Sequence, residues 1–552
     1  MSTARMNRCP TCSRLYAHDS LRFCRHDGAY LWEDAPPAPD DATRLLDAET
    51  PGSEELRAEE SPSSDIERER ATTSSSLTAL VSPRRRAPRK IIDSLAVLPF
   101  VNESGDPSAE YLCDGITESI INSLSQLPKL RVLPRSTVSR YRGREIEPQR
   151  IGRELGARAV LTGRVLQLDE WLIVKAELID VVQDAHLWGE QYRRELTDIF
   201  ALQEELSQDI SQKLRVKLNG EERRRLGKRD TENTNAYHAY LRGRHYVTSK
   251  RTEDWIRKGV ECFQQAIDLD PNYALAYAGL ADAYAFLASS TGERPPREAY
   301  PKAKAAAEKA LELDATLAEA HTSLGFFLLL YDWDFPAAER AFKRAVKLNP
   351  RYANAHDGLG FFYKATGQHE KALRECEETT KLEPLSPFAD LSLGWGHYFA
   401  HRYERAAEQG RRALEMEPRF AFAHWLIGVA RAQAGQPEAA VAALEQAVES
   451  SGGGLTFRAH LGYAYALAGR SKEARHLLAE FAELARAKYV SAYYFALIHL
   501  GLGERDQMFD YLEQACEERV GFLAFLKVEP MFDPVRAESH FAELLQRIGP
   551  TS

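Results

Sequence analysis

The stretch LGFFYKATGQHEKALRECEETTKLEP, residues 359–384, decides the fold. It carries two small residues, Gly360 and Ala372, and closes on Pro384, and its neighbours repeat the arrangement. Leu348-Asn-Pro350, Leu382-Glu-Pro384 and Met416-Glu-Pro418 fall 34 residues apart. Gly325, Gly360, Gly394, Gly428 and Gly462 follow one another at 35, 34, 34 and 34 residues, with Ala496 in the next place. A glycine lets a second helix come close, an alanine on that second helix does the same, and a proline stops it by lacking an N–H. Each period therefore reads as a helical hairpin. A hairpin that cannot bury its apolar face alone must stack on its neighbours.

Leu359-Gly360, Tyr363, Ala372 and Pro384, then Leu393-Gly394, Ala406, Ala413 and Pro418, carry a resemblance to tetratricopeptide repeats. The resemblance implies an all-α solenoid in which the first helix of each hairpin lines a concave groove that grips protein partners. Hairpins at 235–271 and 272–315 extend the array backwards, giving about eight repeats over residues 235–519. Cys376 and Gly410 stand where a large apolar residue is usual, and residues 290–296 insert a loop, so local looseness is expected there. Residues 520–552 diverge from the repeat. Val528-Glu-Pro-Met-Phe-Asp-Pro-Val-Arg536 and the amphipathic segment after it resemble an end-of-array element, which would cap the last hairpin.

Counted from the glycines, the groove-facing positions are Phe326, Phe361, Trp395, Tyr398, Phe422, Trp425, Tyr463 and Tyr493, with Asn354, Asp357 and Lys364 nearer the middle repeats. Such a groove suits a protein or peptide with an apolar or aromatic segment. The lysine and asparagine set that clamps a terminal carboxylate in chaperone-binding relatives is not evident. The alternative is that these rings pack between helices or against the preceding domain.

Residues 91–220 change character. The apolar run 94–101 reads as a buried strand, and Ile116, Ile120, Ile121 and Leu124 as one face of a helix that Asp114 could cap. Further strands are expected at 130–133, 159–168 and 171–181, the last two joined by an Asp169-Glu170 turn, with helices at 150–155 and about 198–218. Ala96-Val-Leu-Pro-Phe100, Asp114-Gly-Ile-Thr-Glu118, Gly152-Arg-Glu-Leu-Gly156, Leu178-Ile-Asp180 and His186-Leu-Trp188 make this part resemble the TolB-amino-terminal-like, or FlgO-like, α/β domain. The resemblance implies a non-catalytic binding or assembly domain, often joined to repeat arrays and to a separate signalling module. Asp114, Glu118, Asp180 and His186 are the acid–base candidates. Asp114 as a cap and Asp180 at a strand end are accounted for structurally. Gly-rich phosphate loops, a nucleophile elbow and kinase motifs are absent from the sequence, and Gly452-Gly453-Gly454 falls between repeats.

At the start of the chain, Cys9-x2-Cys12 presents two thiolates on one tight turn and Cys24 begins a second such turn, the pattern of a structural zinc site. Register nominates Asp27 as fourth ligand. His26 is the better zinc donor at a poorer spacing, and His18 or water remain open. Cys9-Pro-Thr-Cys12 and Phe23-Cys24-Arg-His-Asp-Gly28 resemble a short zinc ribbon, here residues 1–32. Residues 33–90 read as a disordered linker: 13 acidic residues against 4 basic between Glu33 and Arg70, then a basic collar from Arg84 to Lys90.

With seven scattered cysteines, a net charge of −9 and a pI near 6.0, the chain is neither a disulfide framework nor a general nucleic-acid coat. It has no apolar leader and no run approaching the roughly 18 apolar residues of a membrane span, which points to a cytoplasmic protein. The expectation is a multidomain chain: a small zinc ribbon, an α/β domain, then an all-α tetratricopeptide solenoid. It would act as a non-enzymatic scaffold or signalling adaptor. Alternatives are a transcription-related regulator that binds nucleic acid through ribbon and collar, and a cryptic cyclase-associated enzyme.

Overall fold

Apolar side chains alternating along residues 159–180 give two long strands that must cover one face, and they form the centre of a mixed sheet. A computed structural model describes residues 92–549 apart from 126, 128, 144–145, 215–219, 221–228, 250–252 and 290–293, together with two short strands nearer the start. The chain divides into a unit at Met1–Arg85 and a unit at Arg86–Ser552. In the first, β1 (Asn7–Arg8) pairs antiparallel with β2 (Leu15–Tyr16). Cys9, Cys12, His18, Cys24, His26, Asp27, the 33–90 linker and its basic collar all lie outside the described residues.

In the second unit, β3 (Ser94–Val97) is buried along its length and runs parallel to both β5 (Arg131–Val132) and β6 (Ala159–Leu168). β4 (Val101–Asn102) also pairs with β6. β7 (Trp171–Asp180) turns back on β6 over ten residue pairs, and β8 (Ala185–Glu195) turns back on β7, giving the order β5-β3-β6-β7-β8. The Asp169 backbone enters the left-handed region at φ 51° to make the expected turn. Among the described residues four helices complete the domain: α1 (Glu110–Ser125), α2 (Arg135–Ser139), α3 (Pro148–Glu154) and α4 (Ile199–Lys213). Leu112, Ile116 and Ile120 of α1 meet Leu95, Val97, Leu161, Val174 and Leu202 in one core.

Two features depart from expectation. Helix α1 begins at Glu110, after a 3-10 turn capped by Asp106, whose carboxylate accepts from Ser108 N. Asp114 therefore lies one turn inside the helix and is not its cap. Strand β8 was not foreseen, because only Trp188 and Tyr192 are buried along it and a bulge opposite Leu178/Ile179 breaks its alternation.

The solenoid is eight hairpins: α5 (Thr234–Ser249) with α6 (Glu253–Leu269), α7 (Ala274–Ser289) with α8 (Pro296–Leu313), α9 (Ala318–Phe327) with α10 (Phe335–Leu348), α11 (Ala353–Ala365) with α12 (His369–Leu382), α13 (Pro387–Phe399) with α14 (Tyr403–Met416), α15 (Ala421–Gln433) with α16 (Pro437–Ser450), α17 (Leu455–Leu467) with α18 (Ser471–Leu484), and α19 (Ala492–Leu502) with α20 (Arg505–Glu518). The recurrent glycine sits where helices come closest: a Cβ on Gly394 would fall 2.4 Å from Leu426 Cδ2. The looseness expected at Cys376 and Gly410 is not found. Cys376 is fully buried with Leu373 and Leu393, and Ile427 fills the space beside Gly410.

After α20 the chain makes 3-10 turns at Gly521–Phe525 and Pro530–Val535 and ends in α21 (Ser539–Ile548), which packs on α20. Phe522, Phe525 and Phe532 touch rings from α11, α13, α15 and α19, the first helices of four hairpins. The end element thus caps the array and also folds back across its concave side.

Candidate functional site

The first helices of successive hairpins place one aromatic after another on the inner face, each a repeat apart. Phe326 meets Phe361 edge-on at 5.6 Å between ring centroids, Trp395 meets Trp425 at 4.7 Å, and Phe422 meets Phe457 at 5.4 Å. Register counting nominates eight rings for this face. It did not foresee what covers some of them.

Tyr398, Tyr463 and Tyr493, expected to line an open groove, are buried. The returning segment packs on Tyr398 and Tyr493. Phe522 stacks on Tyr493 at 5.2 Å, Phe525 stacks on Phe399 at 5.0 Å and meets Phe361 at 4.7 Å, and Glu529 accepts from Tyr398 Oη at 2.5 Å. Phe326, Phe361, Trp395, Phe422 and Trp425 remain half-buried. Beside them lies Phe388, 37% exposed and 4.8 Å from Phe420, which the sequence reading did not nominate. Its position in the first turn of α13 is the signal that could have found it. The open part of the face is therefore an aromatic shelf around Phe388, Phe422 and Trp425.

The polar residues expected nearby are largely engaged. Lys364 is buried and donates to Ser392 Oγ at 3.0 Å, and Ser392 Oγ in turn donates to Asp357. Asn354 is exposed and donates weakly to Tyr352 Oη at 3.4 Å. His460, behind Trp425, is pushed down to about 4 by burial, so its imidazole is neutral at ordinary pH. The shelf offers ring faces and edges with little charge.

The acid–base candidates of the α/β domain do not form a common site. Asp114 and Glu118 lie one turn apart on α1 and face α5. Asp114 pairs with Arg142, with Arg135 at 3.4 Å and with His245 Nδ1 at 2.7 Å. Glu118 pairs with Arg135 at 2.6 Å and with Arg244 at 2.9 Å. Burial alone would raise both carboxyls. For Asp114 the His245 hydrogen bond, Arg135 and Arg142 outweigh it, and for Glu118 Arg244 and Arg135 do, so both are held below the usual range. Asp180 instead pairs with Arg158 at 3.2 Å and accepts from the backbone N–H groups of Val182 and Gln183, which fixes the turn after β7. His186 is exposed on the edge strand.

The Asp114–Glu118 cluster is the joint between domain and solenoid. Around it, Leu241 of α5 enters the α/β core, Tyr237 exchanges hydrogen bonds with Gln203, and His238 reaches the Leu196 carbonyl. A Cβ on Gly115 would fall 2.4 Å from Leu241 Cδ1, so the glycine lets α5 seat against α1.

Comparison with known proteins fits this division. Residues 328–387 and 391–454 match the tetratricopeptide repeat, and residues 91–210 match the second domain of HilA/YgeH-like transcriptional regulators. A 240-residue stretch is 36% identical to a Rhizobium meliloti protein named putative adenylate cyclase 3, a match over 43% of this chain and 40% of that protein. The chain thus spans less than half the length of this curated relative. Solved structures with a similar fold include Pseudomonas aeruginosa PilF, at TM-score 0.30 and 17% identity over 39% of this chain and 92% of that one. Another is a thermophilic tetratricopeptide protein of Thermus thermophilus, at TM-score 0.31 and 17% identity over 35% of this chain and 98% of that one. The array within 328–454 is a tetratricopeptide array, set in an all-helical solenoid behind an α/β domain with a mixed sheet.

Proposed function

We propose that the chain is a non-enzymatic adaptor that holds a protein partner by an apolar or aromatic segment laid on the shelf of Phe388, Trp395, Phe422 and Trp425. The observation that carries this reading is a run of half-exposed rings, continuous across two repeats. Buried aromatic anchors at interfaces contribute about 1–3 kcal/mol each, enough for two of them to set the affinity of a short peptide. On this reading the amino-terminal segment is a zinc ribbon held by Cys9, Cys12 and Cys24 with Asp27 or His26. The α/β domain is a TolB-like assembly module.

The test is fluorescence anisotropy of labelled peptides carrying Phe or Trp at helical or alternating spacing, against the same peptides with alanine. Trp395→Ala with Trp425→Ala, in a chain that keeps its helical circular dichroism, should weaken binding at least tenfold. Equal binding by the doubly substituted chain, or none by the native one, removes the reading.

A second reading is favoured by the match of residues 91–210 to a domain of transcriptional regulators. Here ribbon and collar contact nucleic acid while the solenoid takes the partner. Binding of duplex DNA that weakens steeply with salt supports it, and no binding at low salt rejects it. The name of the Rhizobium relative motivates nucleotide cyclisation as a third. The Asp114 and Glu118 carboxylates are already committed to arginines, so nucleotide turnover lost on Asp114→Asn is required before it is entertained.

A further inference from the structure

Among the charged side chains of residues 520–536, Glu529 is the one that is buried, at 7% exposure. The rest of the segment is anchored by Leu523, Phe525, Leu526, Met531 and Phe532. The Glu529 carboxyl lies against the hydroxyl of Tyr398 of α13, and its charge is also felt by Tyr403 of α14, Tyr463 of α17 and Tyr493 of α19. Its Oε1 accepts from Tyr398 Oη at 2.5 Å and from Met531 N at 3.3 Å. The charged groups that act on it, Arg536 and Asp533, belong to its own segment. Arg536 is committed elsewhere, donating to Asp533 at 2.6 Å and to the Glu529 backbone carbonyl at 2.9 Å. A carboxylate taken out of water without a cation in contact is costly, whereas the protonated acid is far less so. Burial accordingly pushes this carboxyl up to about 7, against an ordinary value of 4.5.

We propose that Glu529 is a proton-controlled latch on the inner face: protonated, it keeps residues 520–535 seated over Tyr398 and Tyr493, and its deprotonation on release makes opening easier as pH rises. The latch goes beyond the adaptor reading and does not depend on it. It concerns how much of the aromatic face is uncovered, whatever then binds there. The aromatic anchors keep the segment docked most of the time at any pH, so the device adjusts local opening without discarding the segment.

The sign follows from linkage. The seated carboxyl titrates near 7 and a released one near 4.5, so opening releases a proton between those values. The seated state is favoured most below about 4.5. The opening constant rises by somewhat less than tenfold per pH unit up to about 7 and then levels off, roughly fortyfold between pH 5 and 7. His460 is neutral across this window. His401 lies 4.0 Å from Asp533 and is the other group whose charge could enter, so His401→Gln serves as the control.

The experiment is hydrogen exchange by mass spectrometry on the full chain from pH 5 to 8, corrected for intrinsic exchange. Amides of 521–535 are compared with those of α17 beneath them. In native protein and in His401→Gln, protection of 521–535 relative to α17 should fall about fortyfold between pH 5 and 7 and change by no more than about twofold above. In Glu529→Gln, which keeps an acceptor for Tyr398 but cannot ionise, it should be flat throughout. A segment that tracks α17 at every pH, or the same slope in Glu529→Gln, overturns the latch. If Glu529→Gln fails to fold, the native pH series against α17 decides alone.

Discussion

The solenoid is covered at two places by other parts of the chain, and the two joints use opposite chemistry. Where α5 meets the α/β domain, two carboxylates on α1 are each met by guanidinium groups, and burial loses to charge pairing. Where residues 520–535 meet the inner face, one carboxyl is met by the hydroxyl of Tyr398, and burial wins. The same helical framework thus carries one joint strengthened by ionisation and one weakened by it. The balance rests on whether a cation touches the acid.

The largest effect should come from the apolar part of the second joint. Phe532 is fully buried between Tyr493 and Phe541, so Phe532→Ala should cost about 4 kcal/mol, measured as a shift in urea midpoint at constant slope. A loss under 1 kcal/mol would mean that the segment is not part of the folded core and would dissolve the comparison.

At the first joint, Gly115→Ala drives a methyl into Leu241 and should cost about 1–3 kcal/mol. Arg244→Ala leaves Glu118 with Arg135 alone. The arginine side chain is 29% exposed, so solvent limits the cost to about 2 kcal/mol. Both changes should raise hydrogen exchange in α5 while leaving 521–535 untouched.

The joints should also diverge with pH. The folded-state carboxyls of Asp114 and Glu118 lie below their ordinary values of 3.8 and 4.5, so their contribution is present above those values and lost as pH falls through the folded ones. Glu529 lies above its ordinary value, and its contribution is present below 4.5 and lost as pH rises through about 7. Amides of α5 should therefore open in acid, while amides of 521–535 become better protected. Parallel behaviour would show that one global equilibrium governs both.

Local order was legible in the sequence, and long-range partnership was not. The interval from Gly360 to Gly394 to Gly428 fixes the hairpins, because close helix approach needs a small residue at each crossing. Strand β6 was readable to the residue, although its burial does not alternate: Ala159, Val160 and Leu161 are buried in succession. Asp114 was misread because an aspartate near a helix start has the chemistry of a cap, and the residue that claims it, His245, lies 131 positions away. The same applies to Tyr398. Its register on the inner face was readable, but its partner Glu529 is also 131 positions away, and nothing in a 34-residue repeat announces that the chain will fold back. The nominated rings were counted from the repeat without the segment that packs on Phe361, Tyr398 and Tyr493. The zinc ligands lie outside the described residues.

The smallest effect is the most discriminating. Tyr398→Phe removes one hydroxyl that donates to Glu529 and leaves the ring packing on Trp395 and Phe399. With Glu529 protonated, a neutral hydrogen bond is lost, worth about 1 kcal/mol. With Glu529 ionised, the lost bond is one to a charged group, about 1.5–3 kcal/mol. The substitution should therefore cost less at pH 5 than at pH 8. The seated carboxyl should titrate above its native value of about 7, because the hydroxyl had been lowering it. Urea unfolding of Tyr398→Phe at the two pH values measures the difference, and Tyr398→Phe combined with Glu529→Gln should erase it. A cost that is equal at both pH values would mean that the hydroxyl senses no change of charge across the joint. The second joint would then be apolar packing alone, and the contrast with the first would reduce to charge against its absence.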